Sequence, residues 1–134
     1  GWLAQVIVDT SAILAIALEE PERDAMLRRI FEARERRISA GTWMELATVV
    51  ARRHPEKAHL IEALLRSIRL TIADVTPEQA RLGRDGYRIY GRGTGHLAYL
   101  NFGDCFAYAL AKATDEPLLF KGNDFVHTDV TPAL

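Results

Sequence analysis

Short stretches rich in Val, Ile and Leu alternate with stretches of helical periodicity from one end of this chain to the other. The short stretches predict strands at residues 5–8, around Ile38, and at 70–75, 117–120 and 126–130. Strands that alternate with helices usually pair in parallel, and the helices then cover both faces of the sheet. The 134 residues contain neither a linker nor a repeat, so a single α/β domain over residues 1–134 with a mainly parallel central sheet is expected.

The composition is that of a soluble globular protein without a strong bulk charge. The net charge is -1, which gives no general attraction to nucleic acid or to an anionic membrane. Arginines occur in clusters, and the favoured interpretation of these clusters is solvated helix faces. The longest apolar run is too short to cross a bilayer, so no membrane association is expected. Cys105 is the single cysteine, which excludes an internal disulfide and indicates a reducing, cytoplasmic location.

Four carboxylates stand where an open α/β sheet places its sites, at the carboxyl ends of strands. Asp9 ends the first strand, and Asp124 follows the 117–120 strand. Glu45 and Asp104 each lie in the first turn of a predicted helix. Two such charges about 5 Å apart repel by about 3 kcal/mol at an effective dielectric constant of about 20, which a divalent cation would offset. The purely oxygen ligand set favours Mg²⁺ or Mn²⁺.

Each of these acids, taken alone, also has a simpler interpretation. The patterns T-x-x-E at 42–45 and N-x-x-D at 101–104 fit helix capping boxes. Asp9 could cap the helix that follows it, and Asp124 could be a turn residue. Their expected position at one edge of the sheet favours a shared functional role over four separate local ones.

Other residues with reactive or ligating side chains are weaker candidates. The four histidines, at positions 54, 59, 96 and 127, lack ligand spacing and are interpreted as surface or packing residues. Cys105 is interpreted as a small buried apolar residue. The glycines of residues 91–95 do not form a phosphate-binding loop, because no Lys-Ser/Thr pair follows them.

Four segments resemble the acidic blocks of PIN domains, and more narrowly those of VapC-type toxins, the ribonuclease half of a toxin–antitoxin pair. The segments are IVDTSAILAI, the Glu of WMELATVV, LNFGDCFAYALAKA and LLFKGNDFVHTDV, and together they span nearly the whole chain. The resemblance implies a PIN-like fold and a ribonuclease that cleaves RNA with metal-activated water. It assigns the metal-binding and catalytic set to Asp9, Glu45, Asp104 and Asp124. It assigns outer positions to Thr10, Ser11 and Asp129.

The loop before the third block departs from the pattern of many relatives. Those relatives read Gly-Lys-Gly followed by Arg-His-Pro, whereas this chain reads YGRGTGHLAYL at residues 90–100. The resemblance therefore assigns no substrate contact to Arg92 or His96.

The resemblance also implies two macromolecular partners, an RNA substrate and a small cognate antitoxin. We expect the antitoxin to bind in a helix-in-groove mode to apolar surface on the N-terminal helices, with Ile13, Ala17 and Leu27 as contacts. A homodimer is expected because symmetric dimers are the commonest oligomers.

Three alternatives belong to other functional classes. A haloacid-dehalogenase-like phosphatase also begins with an Asp at a strand end, but its general acid should occupy the position of Ser11. A receiver-like signalling module would use Lys121, yet it needs paired acids where this chain has only Asp9. The third alternative is a PIN scaffold that works by binding a partner. Metal-dependent cleavage of RNA separates these possibilities.

Overall fold

A parallel sheet of four strands forms the centre of the computed structural model, which describes residues 4–134. The strands are β1 (Gln5–Val8), β2 (Glu35–Ser39), β3 (Thr71–Ala73) and β4 (Leu118–Leu119). Their order is β3-β2-β1-β4, and all three pairings are parallel. The predicted parallel sheet is confirmed, and β1 lies inside it between β2 and β4.

Six helices lie between or after these strands in the described part of the chain. They are α1 (Thr10–Ala17), α2 (Arg23–Glu32), α3 (Ala40–Arg53), α4 (Ala58–Ile68), α5 (Pro77–Tyr90) and α6 (Asp104–Thr114). Three of them begin after a residue whose side chain accepts a hydrogen bond from the first turn, namely Asp9 for α1, Ser39 for α3 and Thr76 for α5. No helix within residues 4–134 combines the length and the apolar character needed to cross a membrane.

Helices cover both faces of the sheet, as the alternating pattern predicts. Val6 and Val8 belong to an apolar cluster with buried residues of α1, α2, α3 and α4. Ile7 points the other way and packs with Ala107 and Leu110 of α6. Because β1 is buried on both sides, the carboxylate that follows it begins inside the protein rather than at its surface.

The strand predicted at residues 126–130 does not form. Residues 124–127 are a turn and residues 128–130 a bend. Phe125 and Val130 pack into the cluster beneath α6, and the carbonyl of Phe125 accepts bonds from Thr128 N at 3.0 Å and Thr128 Oγ1 at 2.7 Å. The apolar residues of this segment therefore serve packing rather than strand pairing.

The predicted antitoxin contacts on α1 are wrong, because that helix is part of the core. Ile13 is fully buried and Ala17 is 4% exposed, while Leu27 of α2 is partly buried against the same cluster. Helix α1 reads TSAILAIA and is apolar nearly all round, which is the pattern of a helix enclosed by its neighbours.

Candidate active site

Asp9 follows β1 and combines a helix cap with an unused oxygen. Its Oδ2 accepts hydrogen bonds from Ser11 N at 3.0 Å and from Ser11 Oγ at 2.6 Å. Its Oδ1 is buried and has no hydrogen-bond partner among the described residues. Burial raises the pKa of Asp9 to about 6, and the charge of Glu45 adds to this, although the bonds from Ser11 oppose it.

Ser11 connects the ends of β1 and β4. Its hydroxyl donates to Asp9 and accepts a hydrogen bond from Lys121 N at 3.0 Å. Lys121 comes two residues after β4 and three residues before Asp124. The segment carrying Asp124 is therefore attached to the same edge of the sheet as Asp9.

Asp104 begins α6 and is held in a reciprocal capping pair. Asp104 N donates to Asn101 Oδ1 at 2.8 Å, and Asn101 N donates to Asp104 Oδ2 at 2.9 Å. Burial raises the pKa of Asp104 to about 8, with contributions from the charges of Asp9, Asp124 and Glu45. Since the charges of all three residues act on the carboxyl group of Asp104, the four predicted acids lie near one another.

Glu45 lies on α3, and its charge also acts on Asp104. The Thr10 hydroxyl donates to Glu45 Oε1 at 2.7 Å, so the residue after Asp9 holds the glutamate. The capping box predicted at 42–45 does not form, because Ser39 caps α3 and Thr42 Oγ1 has no partner among the described residues. Glu45 therefore does not cap α3, and its carboxylate is held by the residue that follows Asp9.

The acidic residues fit a hard divalent cation, although their side chains do not yet enclose one. Among residues 4–134, no group of three or more His, Cys, Asp or Glu side chains is arranged as a ready ligand set. Three of the acids are instead engaged by neighbours, Asp9 by Ser11, Glu45 by Thr10 and Asp104 by Asn101. The buried, unpartnered Oδ1 of Asp9 and the all-oxygen donor set are the features that suit such an ion.

Asp129, predicted as an outer residue of the site, is engaged elsewhere. Its carboxylate accepts a hydrogen bond from Tyr108 Oη at 2.8 Å and lies 3.1 Å from Lys112 Nζ, both on α6. Partial burial raises the pKa of Asp129, but Tyr108 and Lys112 outweigh this and hold the pKa below its ordinary value. Asp129 is therefore held against Tyr108 and Lys112 of α6.

The structure also shows the surroundings of Cys105 and Lys121, which the sequence analysis considered as reactive residues. The Cys105 thiol is buried, and burial together with the charge of Asp104 raises its pKa to about 11, so it stays protonated and is no nucleophile. Lys121 Nζ pairs with Glu20 and Glu22 in the turn between α1 and α2. It does not serve the acids as the lysine of a receiver module would.

The loop that departs from the relatives' pattern packs mainly on itself. His96 Nδ1 accepts a hydrogen bond from Ala98 N at 3.0 Å, and its ring meets the Tyr90 ring edge-on at 4.9 Å between centroids. Arg92 is exposed, with its guanidinium carbon 6.0 Å from the centroid of the Tyr99 ring. His96 is a packing residue, as predicted.

Sequence reasoning missed Gly103. A side chain there would occupy the space of the Glu45 carboxylate, since a Cβ atom would lie 1.5 Å from Glu45 Oε2. The signal available in the sequence was a glycine directly before the acid of NFGD. This glycine cannot be interpreted until the structure shows that Glu45 packs against it.

Comparison with known proteins finds relatives over nearly the whole chain. The PIN domain family matches residues 6–130. Ribonuclease VapC42 of Mycobacterium tuberculosis is 44% identical over 129 residues, which are 96% of this chain and 98% of that protein. Ribonuclease VapC28 of the same organism is 45% identical over 130 residues, again 96% and 98%.

A solved structure shares the fold. The crystal structure of Mycobacterium tuberculosis VapC20, a sarcin–ricin loop cleaving toxin, superposes with a TM-score of 0.69 at 18% identity and covers 94% of this chain and 96% of that one. At this identity the likeness concerns the fold alone. The match over residues 6–130 and the identity to VapC42 and VapC28 show that the chain belongs to the PIN domain family, among its VapC proteins.

Proposed function

We propose that this protein is an endoribonuclease that cleaves RNA phosphodiester bonds with a divalent metal ion and acts as the toxin of a type II toxin–antitoxin pair. The observation that carries the proposal is the buried, unpartnered Oδ1 of Asp9, in a site where the charges of Asp9, Glu45 and Asp124 all act on the carboxyl group of Asp104. The relatives named above are ribonucleases. Neither the phosphatase nor the receiver module finds support in the family match.

The metal ion belongs at the four acids. VapC-type PIN nucleases depend on divalent metal, and Asp9, Glu45, Asp104 and Asp124 are the residues that would hold it here. Mg²⁺ is our first choice, with Mn²⁺ as the substitute, because both prefer oxygen ligands. When bound, such an ion activates water and stabilises the attacking and leaving oxygens of an in-line displacement.

The chain's own groups prepare this site. Ser11 fixes one oxygen of Asp9 and leaves the other free, and Thr10 holds one oxygen of Glu45. Asp104, with its raised pKa, carries a proton near neutral pH until a cation displaces it. The site therefore needs no side-chain nucleophile, in keeping with the protonated thiol of Cys105.

RNA phosphates need cationic side chains outside the acidic group. Arg36 is excluded, since it donates to the carbonyls of Ala33 at 2.9 Å and Ile68 at 3.0 Å. Arg37 is paired with Glu35 and Glu116. Arg92 is exposed in the loop that leads to Asn101 and Asp104, and we count it as a candidate phosphate contact.

An antitoxin and a second copy of the chain complete the proposed assembly. VapC toxins pair with VapB antitoxins, and the burial of Ile13 and Ala17 moves the binding surface away from α1. A groove of about 390 Å³ between α3 and α4 is open and is lined by apolar side chains that include Trp43 and Ala51. This groove suits the helix-in-groove mode. The homodimer and the cytoplasmic location stay predictions.

Cleavage of an RNA panel by the purified protein tests the proposal. We expect cleavage with Mg²⁺ or Mn²⁺, none in chelator, and a loss of more than about 100-fold in Asp104→Asn, because several kcal/mol of charge stabilisation is lost with the ligand. Asp115→Asn is the matched control, since Asp115 ends the same helix at an exposed position with φ 54°, which Asn tolerates.

Three results would contradict this proposal. Undiminished cleavage in chelator excludes metal dependence, and a wild-type rate in Asp104→Asn excludes the assigned site. A protein that binds metal but cleaves none of the RNAs supports the alternative of a scaffold that acts by binding a partner.

A further inference from the structure

Helices α3 and α6 meet through two glycines that face two side chains. Gly41 of α3 lies against the Phe106 ring, where an added Cβ atom would come within 2.2 Å of Phe106 Cδ1. Gly103 at the start of α6 lies against Glu45, where an added Cβ atom would come within 1.5 Å of Oε2. Each helix thus supplies one glycine and one side chain to the contact.

The spacing of these residues makes the contact a single unit. Gly41 and Glu45 are four residues apart and share one face of α3, while Gly103, which directly precedes α6, is three residues from Phe106. Because the two glycine–side-chain pairs occupy adjacent turns, they fix both the separation of the helices and their rotation relative to each other.

Space, and not backbone conformation, explains the glycine at position 103. Its φ of -60° and ψ of -39° are helical values that any residue adopts. Alanine would therefore fit the backbone, and its methyl group would conflict only with the end of the Glu45 side chain. That end is flexible and half-buried, so the expected response is a displaced carboxylate rather than an unfolded domain.

We propose that Gly103 is a positioning residue: the space left by its missing side chain seats the Glu45 carboxylate beside Asp104, where it completes the acidic set. This inference rests on the proposed function, because a displaced Glu45 carboxylate would weaken metal binding and RNA cleavage only if the acids hold a metal ion. The hydroxyl of Thr10 holds Oε1 from the other side at 2.7 Å. Glu45 is thus held between α1 and the start of α6.

The substitution Gly103→Ala tests the inference, with Gly83→Ala as the matched control. Gly83 also faces α6, but a Cβ atom there would meet Cys105 O at 3.5 Å and Ala109 Cβ at 3.7 Å, which are ordinary contacts. In the metal-free protein, the ¹³C resonance of the Glu45 carboxyl carbon should move in Gly103→Ala and stay in Gly83→Ala. Mn²⁺ affinity measured by calorimetry should fall by about tenfold or more in Gly103→Ala alone, with RNA cleavage falling alongside.

A double-mutant cycle separates positioning from a general structural role. In a Glu45→Ala background there is no carboxylate to displace, so adding Gly103→Ala should leave Mn²⁺ affinity unchanged. An additive loss in that background overturns the inference, and so does a Glu45 resonance that Gly103→Ala leaves in place. If Gly103→Ala fails to fold, recovery of folding by Glu45→Ala supports the close approach, and no recovery overturns it.

Failure of the proposed function gives a different result. In that case the wild-type protein itself neither binds Mn²⁺ nor cleaves RNA. The carboxyl resonance then decides alone whether Gly103 seats Glu45, because it needs neither metal nor substrate.

Discussion

At the scale of single residues, helix capping and metal binding are compatible uses of one carboxylate. Asp9 directs Oδ2 to the first turn of α1 and leaves Oδ1 without a partner. Asp104 Oδ2 accepts a hydrogen bond from Asn101 N, and Asp104 N donates one to Asn101 Oδ1. A cap of this kind orients the acid, because the bond from the helix removes the rotational freedom of the side chain.

The raised pKa of Asp104 makes the stability of the metal-free protein dependent on pH. The folded state binds the proton more tightly than the unfolded chain, whose ordinary Asp pKa is about 4. The contribution of Asp104 to stability is therefore greatest below about pH 4, and it is lost as pH rises through the folded pKa of about 8. Asp104→Asn removes this loss, so in chelator at pH 8.5 it should be more stable than the wild type, by a free energy of at most about 5 kcal/mol, and should unfold at a higher temperature.

Thermal unfolding in chelator at pH 5 and pH 8.5 checks this ranking, with Asp115→Asn as the control. The advantage of Asp104→Asn should shrink at pH 5. Mn²⁺ at about 100 times its dissociation constant should stabilise the wild type by about 2.7 kcal/mol and reverse the order. A wild type that is at least as stable as Asp104→Asn at pH 8.5 in chelator would contradict the raised pKa of Asp104.

At the scale of elements, burial decides which helices can meet a partner. Helix α1 is enclosed, so its apolar residues serve the core. Helices α3 and α4 are buried on one side only, and between them lies the groove that contains Trp43 and Ala51. A helical segment of an antitoxin could bury its own apolar face there without unfolding any element of this protein.

Ala51→Glu tests the groove between α3 and α4. A carboxylate placed there would lose solvent without gaining a partner, so the affinity for the product of the adjacent reading frame should fall by about tenfold or more. RNA cleavage should not change. Ala63→Glu is the control, because Ala63 is exposed on α4 but does not line the groove. Equal binding by wild type and Ala51→Glu in calorimetry would place the antitoxin elsewhere.

At the scale of the whole molecule, strand order brings the acids together. Strand β1 lies between β2 and β4, so Asp9 stands between the helix that follows β2 and the segment that follows β4. Glu45 lies on α3, which follows β2, and Asp124 lies in the segment after β4. Helix α6 packs against the far face of β1 and brings Asp104 to the same edge. Residues more than 100 positions apart therefore share one electrostatic environment.

This shared environment predicts that metal affinity depends on pH. Near pH 6 the Asp104 carboxyl is protonated and Asp9 is half-titrated, so a cation must displace protons in order to bind. Mn²⁺ affinity should rise between about pH 6 and pH 8 and level off above that range. Calorimetry in buffers of different ionisation enthalpy measures the released protons. An affinity that is constant from pH 6 to pH 8 would contradict the raised pKa values.

Local patterns in the sequence were enough to predict the alternation of strands and helices, the parallel sheet and the acids at its carboxyl edge. These features follow from periodicity and from residues within about four positions of one another, which a single chain displays directly. The resemblance of the acidic blocks to PIN domains added the family, which the comparisons confirm.

Tertiary structure alone decided the features that join distant residues. They include the bond from Thr10 to Glu45, the engagement of Asp129 by Tyr108 and Lys112, and the space that Gly103 leaves for Glu45. Each depends on which surfaces meet when the helices pack on the sheet, and the same local sequence is compatible with several such packings. Whether an acid that caps a helix also keeps one oxygen without a partner is therefore settled by its neighbours in space, as Oδ1 of Asp9 illustrates.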